Sequence, residues 1–128
     1  LPGVYYWLGL GQHGFTTRLK DPAKRPAETP VDLRPSLELA PGEHLSVLSH
    51  EKLRLPEGLN LRVASRGTVF SRGELRLECD WLVPAGLDGG LALHIVNESG
   101  RPQTLRFQQQ ALLIQFEYNP EDDPPGFS

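Results

Sequence analysis

The dominant pattern along the chain is an alternation of apolar and polar residues with a period of two. It recurs in the segments 59–63, 75–81, 91–95 and 112–118. Successive side chains of a strand point to opposite faces, so this pattern predicts strands with one buried face. Turn signals separate the strands, at Pro41-Gly42, Pro56-Glu57-Gly58, Asp88-Gly89-Gly90 and Glu98-Ser99-Gly100. No segment carries a sustained helical period, and the sequence therefore predicts an all-β sandwich or barrel.

Composition narrows the class of protein further. The 128 residues suit one domain, and 38% hydrophobic with 23% charged residues is typical of a globular protein. A net charge of −3, with both signs interspersed, argues against a nucleic-acid partner. No apolar run reaches the roughly 18 residues of a membrane span. Because Cys79 is the single cysteine, it has no internal disulfide partner, which favours a reducing compartment such as the cytoplasm.

Two proline-rich segments depart from the strand pattern. Residues 20–30 are predicted to be a loop or arm, and the acidic residues 120–128 a tail that does not order by itself. We therefore expect an N-terminal strand or arm and proline-rich loop over 1–30, a barrel over 31–119 and the tail over 120–128. The start, Leu1-Pro2-Gly3, lacks an initiator methionine, so we expect the chain to be a trimmed or internal fragment.

A glycine motif near the start has the spacing of a dinucleotide-binding loop. Gly9-Leu10-Gly11-Gln12-His13-Gly14 matches GxGxxG and follows an apolar run. Dinucleotide binding also requires a helix immediately after the motif, and no helical pattern follows here. We interpret the segment as a flexible glycine loop.

A set of short motifs resembles a known family. The motifs follow one another in the order Asp32-Leu33-Arg34, Pro41-Gly42-Glu43, Leu55-Pro56-Glu57-Gly58 and Ser65-Arg66. This order resembles the opening of dUTPases, and residues 66–97 align without a gap with the pattern of dCTP deaminases. In that alignment the family positions coincide with Gly73, Gly86, Gly89, Leu93 and Asn97. The resemblance covers about residues 30–118, and it implies a distorted jelly-roll barrel of the dUTPase-like type that forms a homotrimer with its sites between subunits.

The resemblance also implies a candidate nucleotide-binding set. Arg66 matches a position that contacts phosphates, and the hydroxyls of Ser65 and Thr68 stand beside it. Asp32 matches a residue that helps to hold the metal and the site together. An interface salt bridge for Arg66 and a structural role for Asp32 are the alternatives. Hard-oxygen coordination needs more carboxylates than this set provides, so no metal site is predicted, although Mg²⁺ would accompany the nucleotide in an active enzyme.

Three positions that carry chemistry in the family are altered here. Pro84 stands where dUTPases place the aspartate that activates water, and Leu87 where they place the tyrosine that stacks on the sugar. His94 stands where dCTP deaminases place a proton-shuttling glutamate, and histidine can shuttle protons near neutral pH. We therefore regard His94 as the candidate catalytic residue, with a structural or interface role as the alternative. On the last strand, Gln108 stands where the family has a glycine.

Two functions follow from the resemblance. The first is a trimeric barrel with a diverged active site that binds a deoxynucleoside triphosphate or serves as a non-catalytic module. The second is an active pyrophosphatase or dCTP deaminase with altered catalytic residues. The loss of three catalytic positions favours the first function.

Overall fold

The predicted alternation produces strands almost throughout. The computed structural model describes residues 5–18, 27–54, 59–79, 82–83 and 88–118. In these ranges lie ten strands and one short helix, namely β1 (Tyr5–Thr17), β2 (Glu28–Asp32), β3 (Ser36–Leu39), β4 (His44–Arg54), β5 (Leu59–Arg66), α1 (Thr68–Ser71), β6 (Leu75–Glu78), β7 (Leu82–Val83), β8 (Asp88–Asn97), β9 (Gln103–Arg106) and β10 (Gln110–Tyr118). The all-β prediction is confirmed. Among the described residues, no helix is long and apolar enough to cross a membrane.

Most of these strands belong to one curled antiparallel sheet. Its described strands follow the order β6-β8-β4-β1-β10-β5-β7, β2 adds to β1, and β3 and β9 form a separate ladder. The long strand β1 connects the two halves, because Tyr5–Gly9 pairs with β10 and the second half of β1 pairs with β2 and β4. The first described residues therefore share a sheet with the segment 31–119. β2 begins inside the proline-rich segment 20–30.

The core lies on the inner face of the sheet, and β4 shows how the alternation builds it. Leu45, Val47 and Ser49 are buried, whereas Ser46 and Leu48 on the opposite face are exposed. The same alternation holds on β6 and from Leu91 to Ile95 of β8, whereas Val96 and Asn97 at the end of β8 are both buried. The fully buried large side chains are Leu8, Leu10, Leu33, Leu39, Leu45, Leu61, Leu75, Leu77, Ile95, Leu105, Leu112 and Ile114. Burial of each stabilises the fold by about 1.5–3 kcal/mol at most.

The interpretation of residues 9–14 as a flexible loop is wrong, because this segment is the middle of β1. A Cβ atom on Gly9 would lie 2.8 Å from Gln108 O, and one on Gly11 would lie 2.5 Å from Leu48 O. A Cβ atom on Gly14 would lie 2.6 Å from Ser46 O. Glycine is therefore required by close approach of neighbouring backbones, which is a recognised reason for glycine inside strands.

The predicted turn at Asp88-Gly89-Gly90 is also wrong, since these residues begin β8 and pair with the end of β4. Gly89 has a φ of +126°, and the register shifts just beyond it, so the glycine pair marks an irregularity within the ladder. The Pro41-Gly42 turn is confirmed, with Gly42 at φ +77° and a hydrogen bond from Glu43 N to Ala40 O. The Pro56-Glu57-Gly58 signal lies outside the described residues.

Candidate functional site

The candidate residues lie in separate parts of the sheet. Ser65 and Arg66 end β5, Thr68 begins α1, and His94 lies on β8. Strands β4, β1 and β10 lie between β8 and β5. Arg66 connects through Leu112 to Leu8 of β1, whereas His94 connects through Ser46 to Phe15. The two residues are thus separated by four strand-to-strand steps and also by seven residues along β1. The structure therefore does not bring the phosphate candidates and the catalytic candidate together within one chain.

Ser65, Arg66 and Thr68 form what we call the β5–α1 corner. Gly67 N donates a hydrogen bond to Ala111 O at 2.8 Å, and the buried Phe70 anchors the helix that follows. A Cβ on Gly67 would overlap Gln110 O, so this position accommodates only glycine. Ser65 and Thr68 are exposed and Arg66 is half-buried. The corner thus contains two exposed hydroxyls and a half-buried guanidinium, and Ser65 Oγ donates to Arg66 O at 3.4 Å. Hydroxyl and guanidinium groups bind phosphate oxygens.

His94 is half-buried on the outer face of the sheet, where two side chains of β4 fix its ring. Its Nε2 lies 3.0 Å from His44 Nδ1, and its Nδ1 lies 3.3 Å from Ser46 Oγ. The antiparallel register explains this arrangement, because Ser46 pairs with His94 and His44 pairs with Val96. The two ring centroids are 5.1 Å apart, with an interplanar angle of 55°. Each nitrogen of the His94 ring therefore has a defined partner.

His94 borders an open groove of about 630 Å³ on this outer face, which we call the His94 groove. Its lining residues come from β1, β4, β8 and the end of β6; they are His13, Gly14, Phe15, Ser46, Val47, Leu48, Glu78, Cys79, Ala92, Leu93 and His94. Phe15 and Leu48 are 48% and 54% exposed. Apolar walls with a few fixed polar groups are typical of small-molecule sites.

Asp32 makes local contacts within its own chain. Arg34 N donates to Oδ1 at 2.8 Å, and Gln12 Nε2 donates to Oδ2 at 3.2 Å. The bond from Arg34 N, followed by the one from Gln12, lowers the pKa of the Asp32 carboxyl below its ordinary value. Nearby positive charge on His13 and Arg34 acts in the same direction. Oδ1 therefore stabilises the bend after β2, and Oδ2 links β2 to β1.

Two family positions have clear conformational roles. Asn97 is 1% exposed, and its Nδ2 donates to the carbonyl oxygens of Leu39 and Arg101, both at 2.9 Å. Gln108, which stands at a family glycine position, has a φ of +66°. Glycine adopts this backbone conformation without strain, whereas glutamine does so at some cost. These two positions are explained by the fold, without reference to a ligand.

The sequence reasoning missed His44 and Ser46 as partners of His94. The period-two alternation of β4 places both on the outer face, but the register of β4 against β8 decides which side chains meet. Among the described residues, no group of three His, Cys, Asp or Glu side chains is arranged to hold a metal ion. Pro84 and Leu87 lie outside the described residues, so the loss of the water-activating base and of the sugar platform stays a prediction.

The architecture is similar to that of a solved enzyme. The chain superposes on the crystal structure of 2′-deoxycytidine 5′-triphosphate deaminase from Agrobacterium tumefaciens with a TM-score of 0.72 and 22% sequence identity. The similarity covers 90% of this chain and 39% of the deaminase chain. The chain therefore has the dUTPase-like fold, as the resemblance implied. Neither a protein-family model nor a curated protein matches the sequence significantly.

Proposed function

We propose that the protein is a homotrimeric dUTPase-like barrel that binds the phosphates of a deoxynucleoside triphosphate at the β5–α1 corner without standard dUTPase chemistry. The observation that carries this proposal is the likeness to the dCTP deaminase fold over 90% of the chain. That neighbour, by its name, acts on a deoxynucleoside triphosphate. A fold alone does not determine function, so the proposal also depends on the residues of the corner.

The corner supplies the groups that phosphate recognition requires. Arg66 provides a guanidinium that can engage phosphate oxygens in a bidentate manner, and each charge-assisted hydrogen bond contributes about 1.5–3 kcal/mol. Ser65 and Thr68 add exposed hydroxyl donors on either side of Gly67. Because the whole chain has a net charge of −3, attraction for a triphosphate must come from such local groups. Mg²⁺ would arrive with the nucleotide and shield its charge.

The residues implied for chemistry argue for binding without turnover. Pro84 has no carboxylate to activate water, and Leu87 has no phenol to stack on a sugar. A barrel with these residues can still recognise the phosphates of a nucleotide, because the phosphate contacts are assigned to other residues. We therefore infer a nucleotide-binding or regulatory module in nucleotide metabolism.

An active hydrolase that uses His94 is the second candidate function. It is favoured by the fixed orientation of the His94 ring, between His44 and Ser46, at an open groove. A base held by a second group is a common arrangement in proton transfer. Since Arg66 lies on β5, four strands away from β8 in the same sheet, this function requires Arg66 of a neighbouring subunit to complete the site.

Exposed apolar side chains support the trimer. The large exposed ones among the described residues are Tyr5, Tyr6, Trp7, Phe15 and Leu48, all on β1 and β4. Exposed aromatic groups and open strand edges are usually covered by a partner. We place the trimer in the cytoplasm, since Cys79 is the single cysteine of the sequence and no second cysteine is present to form a disulfide with it.

A thermal-shift panel tests the proposal. Deoxynucleoside triphosphates with Mg²⁺ should raise the Tm of the wild-type protein, because a ligand that binds only the native state stabilises it. Arg66→Ala should abolish that increase, whereas Arg62→Ala, an exposed arginine earlier on the same strand, should retain it. The comparison uses the ligand-induced change in Tm, so any effect of Arg66→Ala on the free protein cancels. Equal nucleotide-induced shifts in both variants would overturn the assignment of Arg66.

A further inference from the structure

Two imidazole side chains on neighbouring strands direct nitrogen atoms at each other. His44 Nδ1 and His94 Nε2 are 3.0 Å apart, and both side chains are half-buried on the outer face of the sheet. Their backbones belong to the β4–β8 ladder, in which Leu45 pairs with Ile95 between them. The positions of the two rings are therefore fixed by the fold before any ligand arrives.

The separation of the two nitrogens fits a chelate. Imidazole nitrogens bind transition metals at about 2.0–2.1 Å, so two of them at right angles on one ion lie about 2.8–3.0 Å apart. Tetrahedral geometry would require a larger separation of about 3.3–3.4 Å. In the metal-free protein the 3.0 Å contact is a hydrogen bond between the two rings. The same separation equals that of adjacent positions on a square-planar or octahedral ion. Such geometry, with nitrogen ligands, is typical of Cu²⁺ and Ni²⁺.

The hydrogen bonds around the pair are compatible with the required protonation. When His94 Nδ1–H donates to Ser46 Oγ, which lies 3.3 Å away, His94 Nε2 carries a lone pair. Metal-binding histidines commonly donate their second ring N–H to such a partner, which fixes the tautomer and the ring orientation. His44 then needs only to move its proton from Nδ1 to Nε2. Neutral rings thus accept the ion without losing a net proton.

We propose that His44 Nδ1 and His94 Nε2 chelate one divalent transition-metal ion, Cu²⁺ or Ni²⁺, at the edge of the His94 groove. Water occupies the remaining coordination positions, which face the groove. Glu78 pairs with His94 from β6 and adds negative charge beside the ion, although its Oε1 also accepts from Arg76 Nε at 3.2 Å. The site belongs to this chain alone and does not depend on nucleotide binding.

The test is calorimetric titration of the tag-free protein with Ni²⁺ and, separately, with Cu²⁺ in a weakly chelating buffer. The wild-type protein should bind one ion per chain. His44→Gln and His94→Gln should each weaken metal binding at least about tenfold. Loss of a residue that only supports a metal ligand already lowers metal affinity about 10- to 100-fold, and loss of the ligand itself should lower it at least as much. His50→Gln is the matched control, since His50 is an exposed histidine of the same strand that contacts Phe107 and Gln108, and it should bind as the wild type does.

Electron paramagnetic resonance of the Cu²⁺ complex provides a second readout, which does not depend on how well the variants fold. The wild-type spectrum should show hyperfine coupling to two imidazole nitrogens, and Ser46→Ala should keep both with weaker binding. Equal affinity of wild type, His44→Gln and His94→Gln, or coupling to fewer than two nitrogens, would overturn the proposal.

Discussion

Replacing Gly11 by alanine is expected to destabilise the protein, because β1 passes Leu48 at this point with no room for a side chain. An added Cβ would lie 2.5 Å from Leu48 O, well inside contact distance. That carbonyl belongs to β4, which is paired with β1 on one side and β8 on the other, so it cannot move without disturbing both ladders. Overpacking of this kind costs about 1–3 kcal/mol.

A matched variant separates this clash from the general effect of removing a glycine. Alanine reduces the entropy of the unfolded chain and would by itself stabilise the protein by about 0.4–1 kcal/mol. Gly100→Ala measures that effect, since Gly100 is exposed with nothing within 4 Å of the added Cβ. In thermal unfolding, Gly11→Ala should melt roughly 3–12 °C below Gly100→Ala, and Gly100→Ala should melt at or slightly above the wild type. A Gly11→Ala protein as stable as Gly100→Ala would show that residues 9–14 are not a central strand.

Three further outcomes are expected. Light scattering behind size exclusion should give about three times the 14.2 kDa chain mass, and a monomer at micromolar concentration would refute the trimer. Release of pyrophosphate from dUTP with Mg²⁺ should be at background, and robust turnover would show that Pro84 and Leu87 are wrongly aligned. Asp32→Asn should lower stability at neutral pH. Folding lowers the pKa of Asp32, so the ionised carboxylate stabilises the protein at every pH above its unfolded pKa of 3.8. This stabilisation disappears as pH falls through the folded pKa, and the stabilities of wild type and variant should therefore converge in acid.

The fold could largely be predicted from the sequence, because period-two alternation directly reflects which face of a strand is buried. Leu75 and Leu77 are buried and Arg76 and Glu78 are not, as the pattern indicated. Glycine was the less reliable signal. In Gly9 to Gly14 it reflects close approach of neighbouring strands, and local sequence does not distinguish that requirement from a turn.

The candidate site could be predicted only in part. Ser65, Arg66 and Thr68 could be grouped because they are close in sequence, but which of their side chains share a face depends on the fold. The contact between His94 and His44 joins residues 50 positions apart and depends on the register of β4 against β8. Register is set by the packing of the whole sheet, which single-sequence patterns do not provide.

Calorimetric titration of the wild-type protein with a deoxynucleoside triphosphate, and in parallel with the matching deoxynucleoside that lacks phosphates, tests the central claim most directly. The account predicts one triphosphate bound per chain, with the deoxynucleoside at least about tenfold weaker, since loss of even one charge-assisted phosphate contact removes about 1.5–3 kcal/mol. Binding of each of the four common deoxynucleoside triphosphates should be measured with Mg²⁺ present. Absence of binding by all of them at millimolar concentration, or equal affinity for the deoxynucleoside, would contradict phosphate recognition by this barrel.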